Sequence, residues 1–380
     1  MQPTVRILGT HGVPANYGGF ETAAENVALH LVAHGWRVIV YCQVTEGDAI
    51  TEDTWRGIER VNIPVRTPGW LGTSKFDLLS IRHAVKHRDL CLTFGYNTAV
   101  LNVVQRVRKI PNVINMDGIE WSRARWGKMK QAILYVNERA GCLVGTHLIA
   151  DHPVIEDHLR TRAPHRKISM LTYGSDPVHE APADALERYG LESGTYLTLV
   201  ARPIPENSIL EIVRAFSRSE RGFRLVVLGD LEPDSDDYHR AVAEAASDEV
   251  HFVGGIYDPA TLQALRFHCL AYVHGHTVGG TNPSLVEAMG CGNAVIAHDN
   301  AFNRWVVRDG AVYFTDEDDL DEAFTHVGSD DVTRTLLSAR VRERHAEEFT
   351  WDHVAGEYER LLHRFLPTAG DTPMTSLEYT

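Results

Sequence analysis

The sequence predicts two consecutive doubly wound α/β domains, each a parallel sheet flanked by helices. Three observations lead there. Short apolar runs alternate with helix-period segments from end to end, the pattern of strands joined by crossover helices. At 380 residues the chain is longer than one hydrophobic core usually serves, since domains typically hold about 100–200 residues. Midway, residues 173–185 (YGSDPVHEAPADA) lose all periodicity and fill with Gly, Pro, Asp and Ala, as a linker does. The expected organisation is residues 1–175, residues 186–350, a helix over 351–366 and a mobile tail over 367–380.

In the first half the expected strands are Val5–Leu8, Val38–Tyr41, Val61–Ile63, Leu90–Phe94, Val113–Asn115 and Leu148–Ala150. Helices are expected at Phe20–His34 and Lys128–Ala140, where apolar residues recur at helical spacing. The second half repeats the grammar with strands at Tyr196–Val200, Leu225–Leu228, His251–Val253, Ala271–Val273, Ala294–Ala297 and Val312–Phe314. Its helices include Ile209–Ser217, Tyr238–Ala246, Pro259–Phe267 and Pro283–Met289. The last strong helix, Trp351–Leu366, has Asp352 in its first turn, where a carboxylate suits the helix dipole. Ligands of such sheets bind beyond the carboxyl ends of the strands, so a cleft served by both halves and closed by a hinge is expected.

Composition narrows the class. With 44% apolar and 23% charged residues the chain reads as an ordinary globular protein. A formal charge of −14 argues against a general nucleic-acid binder, though not against a local basic patch. No apolar run reaches the roughly 18 residues of a membrane span, and the start MQPTVRILGT reads as a first buried strand instead of an export signal. The five cysteines are scattered without a C-x-x-C pair, which points to reduced packing residues and a cytoplasmic protein.

Two glycine-rich stretches carry the chemistry. The first, GTHGVPANYGGFET, follows the first strand and runs into a helix. Gly9, Gly12, Gly18 and Gly19 permit close backbone approach, and the helix starting near Phe20 offers amides and a positive dipole end to an anion. Its spacing is neither the dinucleotide fingerprint nor a Walker A loop. A plain strand-to-helix turn is the alternative. The second stretch is HGHTVGGTNPSLVEAMGCGNAVIAHD. Asn282-Pro283 opens a helix whose Ser284 and Leu285 amides are expected to point at an anion. Glu287, one turn in, suits paired hydrogen bonds from vicinal hydroxyls, as acids do for ribose in other nucleotide sites. An ordinary solvated helix acid is the alternative for Glu287. Arg202, at the carboxyl end of a strand in LVARPIPEN, has the forked charge that grips phosphate.

Taken together, GTHGVPANYGGFET, NMDGIEW, VARPIPEN, GGTNPSLVEAMGCGNAVIAHDNAFNRWVV and FTWDHVAGEYERL resemble the retaining GT-B glycosyltransferases of the glycogen-synthase and mannosyltransferase type. Within that family they are most similar to the rhamnosyltransferase-like branch of bacterial polysaccharide assembly. The resemblance implies two Rossmann-like domains facing across a cleft, with the C-terminal helix crossing back to the first. It implies a nucleotide-diphosphate sugar donor, dTDP-rhamnose favoured, with no other cofactor and no metal. A glycan or lipid-linked acceptor is implied, with peripheral contact at the inner membrane face. The implied donor pocket draws on Gly18, Gly19, Arg202, Asn207, Gly229, Gly254, His276, Gly279, Gly280, Thr281, Asn282, Ser284, Leu285 and Glu287. Two positions depart from the broad family: Gly279 stands where it has a first acid, and Asn207 where it has a lysine. Loop amides of residues 279–282, with His274 and His276, are the expected replacements.

On the acceptor side the resemblance points to Asn16, Tyr17, Asp117, Glu120, Trp121 and Arg123. Asp117, at the end of the strand Val113–Asn115, is expected nearest the reacting sugar, and Asp117, Arg202 and Glu287 form the expected catalytic set. An Asx turn is the alternative for Asp117. Arg123, Arg125, Lys128 and Lys130 with Trp121 and Trp126 make a basic, aromatic patch suited to a lipid diphosphate or an anionic membrane, or a solvated helix face. The expected reaction retains configuration: the sugar–phosphate bond ionises, and the acceptor enters on the same face. The acids around Asp230 read as a solvated loop. Three further readings stay open: glycosylation of a small natural product, a nucleotide-sugar epimerase or phosphorylase on the same fold, and a non-catalytic sugar-nucleotide binder.

Overall fold

The computed structural model describes residues 2–15, 18–123 and 125–366. The tail expected over 367–380 lies outside them. The chain forms two compact units: residues 1–150, 159–169 and 355–380 make the first, and residues 151–158 and 170–354 the second. Of residues 173–185, expected as linker, 173–183 hold no helix or strand, but the short helix Asp184–Glu187 starts inside the span.

The first unit is built on β1 (Thr4–Leu8), β2 (Arg37–Val44), β3 (Thr51–Trp55), β4 (Ile58–Pro64), β5 (Leu90–Phe94), β6 (Asn112–Asn115), β7 (His147–Ala150) and β8 (Ile168–Met170). They lie in the order β3-β4-β2-β1-β5-β6-β7-β8. Central strands such as β1 and β5 are buried on both faces and pair in parallel, Val5 opposite Leu90 and Leu8 opposite Thr93. That is the signature of strands covered by helices on either side. β3 runs antiparallel to β4 and is almost wholly exposed. Its sequence, TEDTW, lacks an apolar run because it is an edge strand with nothing to bury, and charge on an edge discourages further pairing.

The second unit carries β9 (Tyr196–Val200), β10 (Arg224–Leu228), β11 (Val250–Gly254), β12 (Ala271–His274), β13 (Val295–His298) and β14 (Ala311–Phe314). Their order, β11-β10-β9-β12-β13-β14, reverses direction between β9 and β12. Such a reversal is the switch point beyond which α/β sheets bind ligands. Leu197, Leu199, Ile212, Phe216, Val227 and Phe324 are buried together on one face. Each fully buried side chain of this kind contributes about 1.5–3 kcal/mol.

Helices Gly19–Ala33, Lys128–Val144, Ile209–Phe216, Pro259–Phe267 and Pro283–Gly290 fall where the periodicity predicts. Helix Gly69–Ala84 follows a Thr-Pro-Gly turn that the apolar pattern did not mark as a helix start. Helix Trp351–His363 ends three residues before the predicted Leu366, and from Ala355 it belongs to the first unit. There Asn115 Nδ2 donates to the Tyr358 hydroxyl at 2.8 Å, and Tyr358 stacks on Phe94 with centroids 6.1 Å apart. All five cysteines are free thiols. No helix among the described residues is long and apolar enough to cross a membrane.

Candidate functional site

In the second unit the loop after β12 is the most heavily tied segment. Thr277 bonds the Glu206 carbonyl through both its amide (2.9 Å) and hydroxyl (3.0 Å). Asn300 and Asn303 donate to the His276 carbonyl at 3.0 and 2.9 Å. Thr281, 3% exposed, donates its hydroxyl to the Asp151 carbonyl and its amide to Asp151 Oδ2. A Cβ on Gly280 would sit 2.3 Å from the Asp151 carboxylate, so this glycine is a packing requirement. A Cβ on Gly279 would meet open space.

One expectation for the following helix, and the alternative held for Glu287, need correction. The Ser284 amide is capped by Asn282 Oδ1 at 3.0 Å, and the Leu285 amide bonds the Asn282 carbonyl at 3.1 Å. Neither is left for an anion, because Asn282 is a strong N-cap that satisfies its own helix. Glu287 is not a solvated acid. Arg266, 5% exposed, pairs with Glu287 Oε2 at 2.7 Å, while a third of the Glu287 side chain remains open. The pair aims the carboxylate, since a buried guanidinium needs a partner.

The other predicted donor contacts divide. Arg202 is exposed at the end of β9. Asn207, 5% exposed, spends its side-chain amide on the Arg202 carbonyl at 2.8 Å, and its own carbonyl would lie 2.2 Å from a Cβ on Gly275. It shapes the turn instead of standing in for a lysine. The Gly229 amide is likewise committed, to the Gly254 carbonyl at 3.1 Å, and a side chain at Gly229 would strike the Ala201 carbonyl. His276 stacks on His274, centroids 4.4 Å apart. His274 is buried with no hydrogen-bond partner for either ring nitrogen, and burial, with His276 and His298 nearby, lowers its pKa well below the usual imidazole value. Asp230 is fixed by the Gly255 amide at 2.6 Å and the Tyr257 hydroxyl at 3.1 Å.

In the first unit the glycine loop is also spoken for. Glu21, in the first turn of helix Gly19–Ala33, accepts from the His11 amide at 2.9 Å, and Glu25 accepts from the Ala15 amide at 2.6 Å. A Cβ on Gly18 would lie 2.5 Å from the Glu21 carboxylate. The helix end expected to receive an anion through Gly18 and Gly19 thus carries a nearly buried carboxylate of its own. Asn16 and Tyr17 lie outside the described residues.

Asp117 follows β6 in the left-handed region, φ 54°, where a non-glycine residue is uncommon. Its amide donates to Asn115 Oδ1 at 3.1 Å, and its Oδ1 accepts from the Gly118 amide at 2.8 Å. Burial and the nearby Glu120 push its carboxyl up to about 6, against the Gly118 amide, Arg123 and Arg125. Glu120 is buried and grips Arg123 at 2.6 Å and Arg125 at 2.7 Å. Trp121 donates to Glu138 at 2.6 Å. Glu120, Trp121 and Arg123 therefore brace the loop that carries Asp117.

A second acid here escaped sequence reading. Asp77, 8% exposed, lines a small recess of about 50 Å³ with Leu8, Phe20, Phe94, Asn97 and Thr98, at the carboxyl ends of β1 and β5. Thr98 donates to its Oδ2 at 2.7 Å. Burial raises its carboxyl to about 6, and the Thr98 hydroxyl and His11 oppose the rise. A single Asp inside helix Gly69–Ala84 has no motif to reveal it. Arg266, Asp151, Asn300 and Asn303 were missed for the same reason.

Comparisons with known proteins bear on these sites. The family described as glycosyl transferases group 1 matches residues 187–344, and a domain of unknown function, DUF1972, matches residues 2–176. A phosphatidyl-myo-inositol mannosyltransferase of Mycolicibacterium smegmatis is 28% identical over 196 residues, half of this chain and half of that protein. Among solved structures, sucrose-phosphate synthase from Thermosynechococcus elongatus superposes with a TM-score of 0.78 at 18% identity, covering 96% of this chain and 99% of that one. The fold is GT-B. HepE of Anabaena, solved with UDP and glucose, has the same GT-B fold, with a TM-score of 0.74 at 14% identity over 96% of this chain and 100% of that one. The Arg266–Glu287 pair and the tied loop after β12 lie inside the segment that matches group 1 transferases. Asp77 and Asp117 lie inside the segment whose family has no described function.

Proposed function

We propose that this protein is a glycosyltransferase that moves a sugar from a nucleoside-diphosphate donor to an acceptor hydroxyl. The observation that carries this reading is Glu287: one-third open and aimed by buried Arg266, on the helix beyond the sheet's switch point. A carboxylate so held accepts hydrogen bonds from vicinal hydroxyls without reorganising, which is how preorganised groups lower barriers. Arg202 is the group assigned to the leaving diphosphate. Asp117 is the acid assigned nearest the acceptor hydroxyl. L-rhamnose from dTDP-rhamnose is the favoured sugar, transferred with retention, and a lipid-linked glycan the favoured acceptor. Supporting the lipid, helix Lys128–Val144 exposes Met129, Ile133, Val136 and Leu143 along one side, with Lys130 over the Trp126 ring at 3.2 Å. An apolar stripe beside basic and aromatic groups suits a membrane surface.

The test begins with binding. Calorimetry and thermal shift with dTDP-rhamnose, UDP-glucose, UDP-GlcNAc and GDP-mannose should single out one donor. A donor at a hundredfold excess over its dissociation constant adds about 2.7 kcal/mol of apparent stability. No shift with any donor, nor with plain dTDP or UDP, would end the transferase reading. Nucleoside diphosphate released only when acceptor is present separates transfer from epimerisation.

A further inference from the structure

The first unit contains a second constellation, remote from these acids in sequence and unused by the reaction. His30 and His34 stand one turn apart at the end of helix Gly19–Ala33, ring centroids 4.1 Å apart and planes tilted by 32°. Glu359 and His363 stand one turn apart on helix Trp351–His363. Residues four apart on a helix share a face, so each helix presents two ligand-type side chains. Glu359 Oε2 lies 3.0 Å from His30 Nε2 and 3.9 Å from His34 Nδ1, and Glu359 Oε1 lies 3.6 Å from His363 Nε2. One ligand atom each from His30, His34 and Glu359 fall within 4.8 Å of one another. Among the described residues no other such group of His, Cys, Asp and Glu occurs.

We infer that His30, His34 and Glu359, with His363 as a fourth ligand, form a site for a first-row divalent cation, zinc by preference. Two imidazoles and one carboxylate are a donor set that zinc takes, at about 2.0–2.2 Å from each atom. Ligands at that radius lie roughly 3.2–3.6 Å apart around a tetrahedral ion. The spacings from Glu359 to the three histidines, 3.0, 3.9 and 3.6 Å, bracket this, and the inner three ligand atoms would close from within 4.8 Å of one another. The donors are borderline-soft nitrogens, which favour zinc, copper or nickel over calcium and magnesium.

Two features distinguish the cluster from a chance surface ion pair. Trp36 Nε1 donates to Glu359 Oε1 at 3.1 Å and so orients the carboxylate, the kind of outer support that ligating acids have. Exposure is graded: His30 and Glu359 are 16% and 18% exposed, His34 and His363 about half, so an ion has a fixed inner pair and an open route in. One contact opposes binding. His34 Nδ1 lies 2.8 Å from the His30 carbonyl, and ligation through that atom gives the bond up. The ion would bridge segments 329 residues apart and clip the last helix to the first.

The experiment uses the full chain, free of any purification tag and stripped with EDTA, titrated with zinc chloride alone. We expect one zinc per chain, a higher melting temperature with zinc, and a visible d–d absorption when cobalt(II) is used instead. H34A should weaken that binding at least tenfold and abolish the cobalt spectrum. It should leave the circular dichroism and the melting temperature in EDTA unchanged, since His34 is half-exposed. His363→Ala, also half-exposed, serves as the second variant should the first perturb folding. Zinc binding equally tight in both variants would overturn the site, because the chain has 20 histidines to bind metal elsewhere. Weak binding at several sites in the wild type, with no cobalt spectrum, would do the same.

Discussion

The two units treat their acids in opposite ways. In the second, Glu287 is paired with Arg266, and the loop beside it has its polar groups committed: Thr281 to Asp151, Asn282 to its own helix, the His276 carbonyl to two asparagines. In the first, neither Asp77 nor Asp117 forms an ion pair among the described residues, and burial pushes both carboxyls up to about 6. One region is preorganised around fixed charge, which suits a ligand that arrives charged. The other keeps carboxyls able to gain or lose a proton near neutrality, which suits hydroxyl chemistry.

The largest effect should come from replacing the reacting groups on each side. Glu287→Gln and Asp117→Asn should each lower turnover by about 10²–10⁴-fold, the range of acid–base and electrostatic groups, without loss of fold. Wild-type rates in both would dissolve the contrast. Next, Arg266→Met should cost about 2–3 kcal/mol in urea unfolding. That is below the range for fully buried pairs, because Glu287 keeps solvent access. It should weaken donor binding as well. If stability holds, the carboxylate is not held by that pair.

A pH series sharpens the first-unit half. Folded Asp77 keeps its proton up to about 6, whereas the ordinary carboxyl releases it at 3.8. The native state then binds more protons in that window, and stability falls as pH rises through it. Relative to wild type, Asp77→Asn should gain on the order of 2–3 kcal/mol between pH 4 and pH 6, measured by urea unfolding at each pH. Parallel curves would mean the carboxyl is not raised. The smallest effect separates neighbouring glycines. Gly280→Ala should cost about 1 kcal/mol and loosen the Thr281–Asp151 tie, while Gly279→Ala should stay within about 0.5 kcal/mol. Equal costs would deny that tie its role.

The sheets were legible in the sequence because buried parallel strands must be apolar throughout, as LTLV in β9 and AVIA around β13 are. Edge strand β3 was not, since a strand that buries nothing leaves no apolar trace. Helix starts at Asn282-Pro283 and Asp258-Pro259 were readable, because capping is a local bond between near neighbours. The use of those same amides was misread. A sequence shows that Ser284 has an amide but not that Asn282 occupies it.

By itself, then, the sequence determined two doubly wound units and their buried central strands, and it marked the stretches 9–19, 115–121 and 274–287 as those where chemistry is expected. Periodicity, glycine and proline act over a few residues. Only the tertiary structure decided which polar group meets which. Arg266 reaches Glu287 from the preceding helix, Asp151 holds Thr281 from 130 residues away, and Glu359 meets His30 from 329. Charge pairing and burial depend on distance in space, and the order of residues along the chain does not carry that distance.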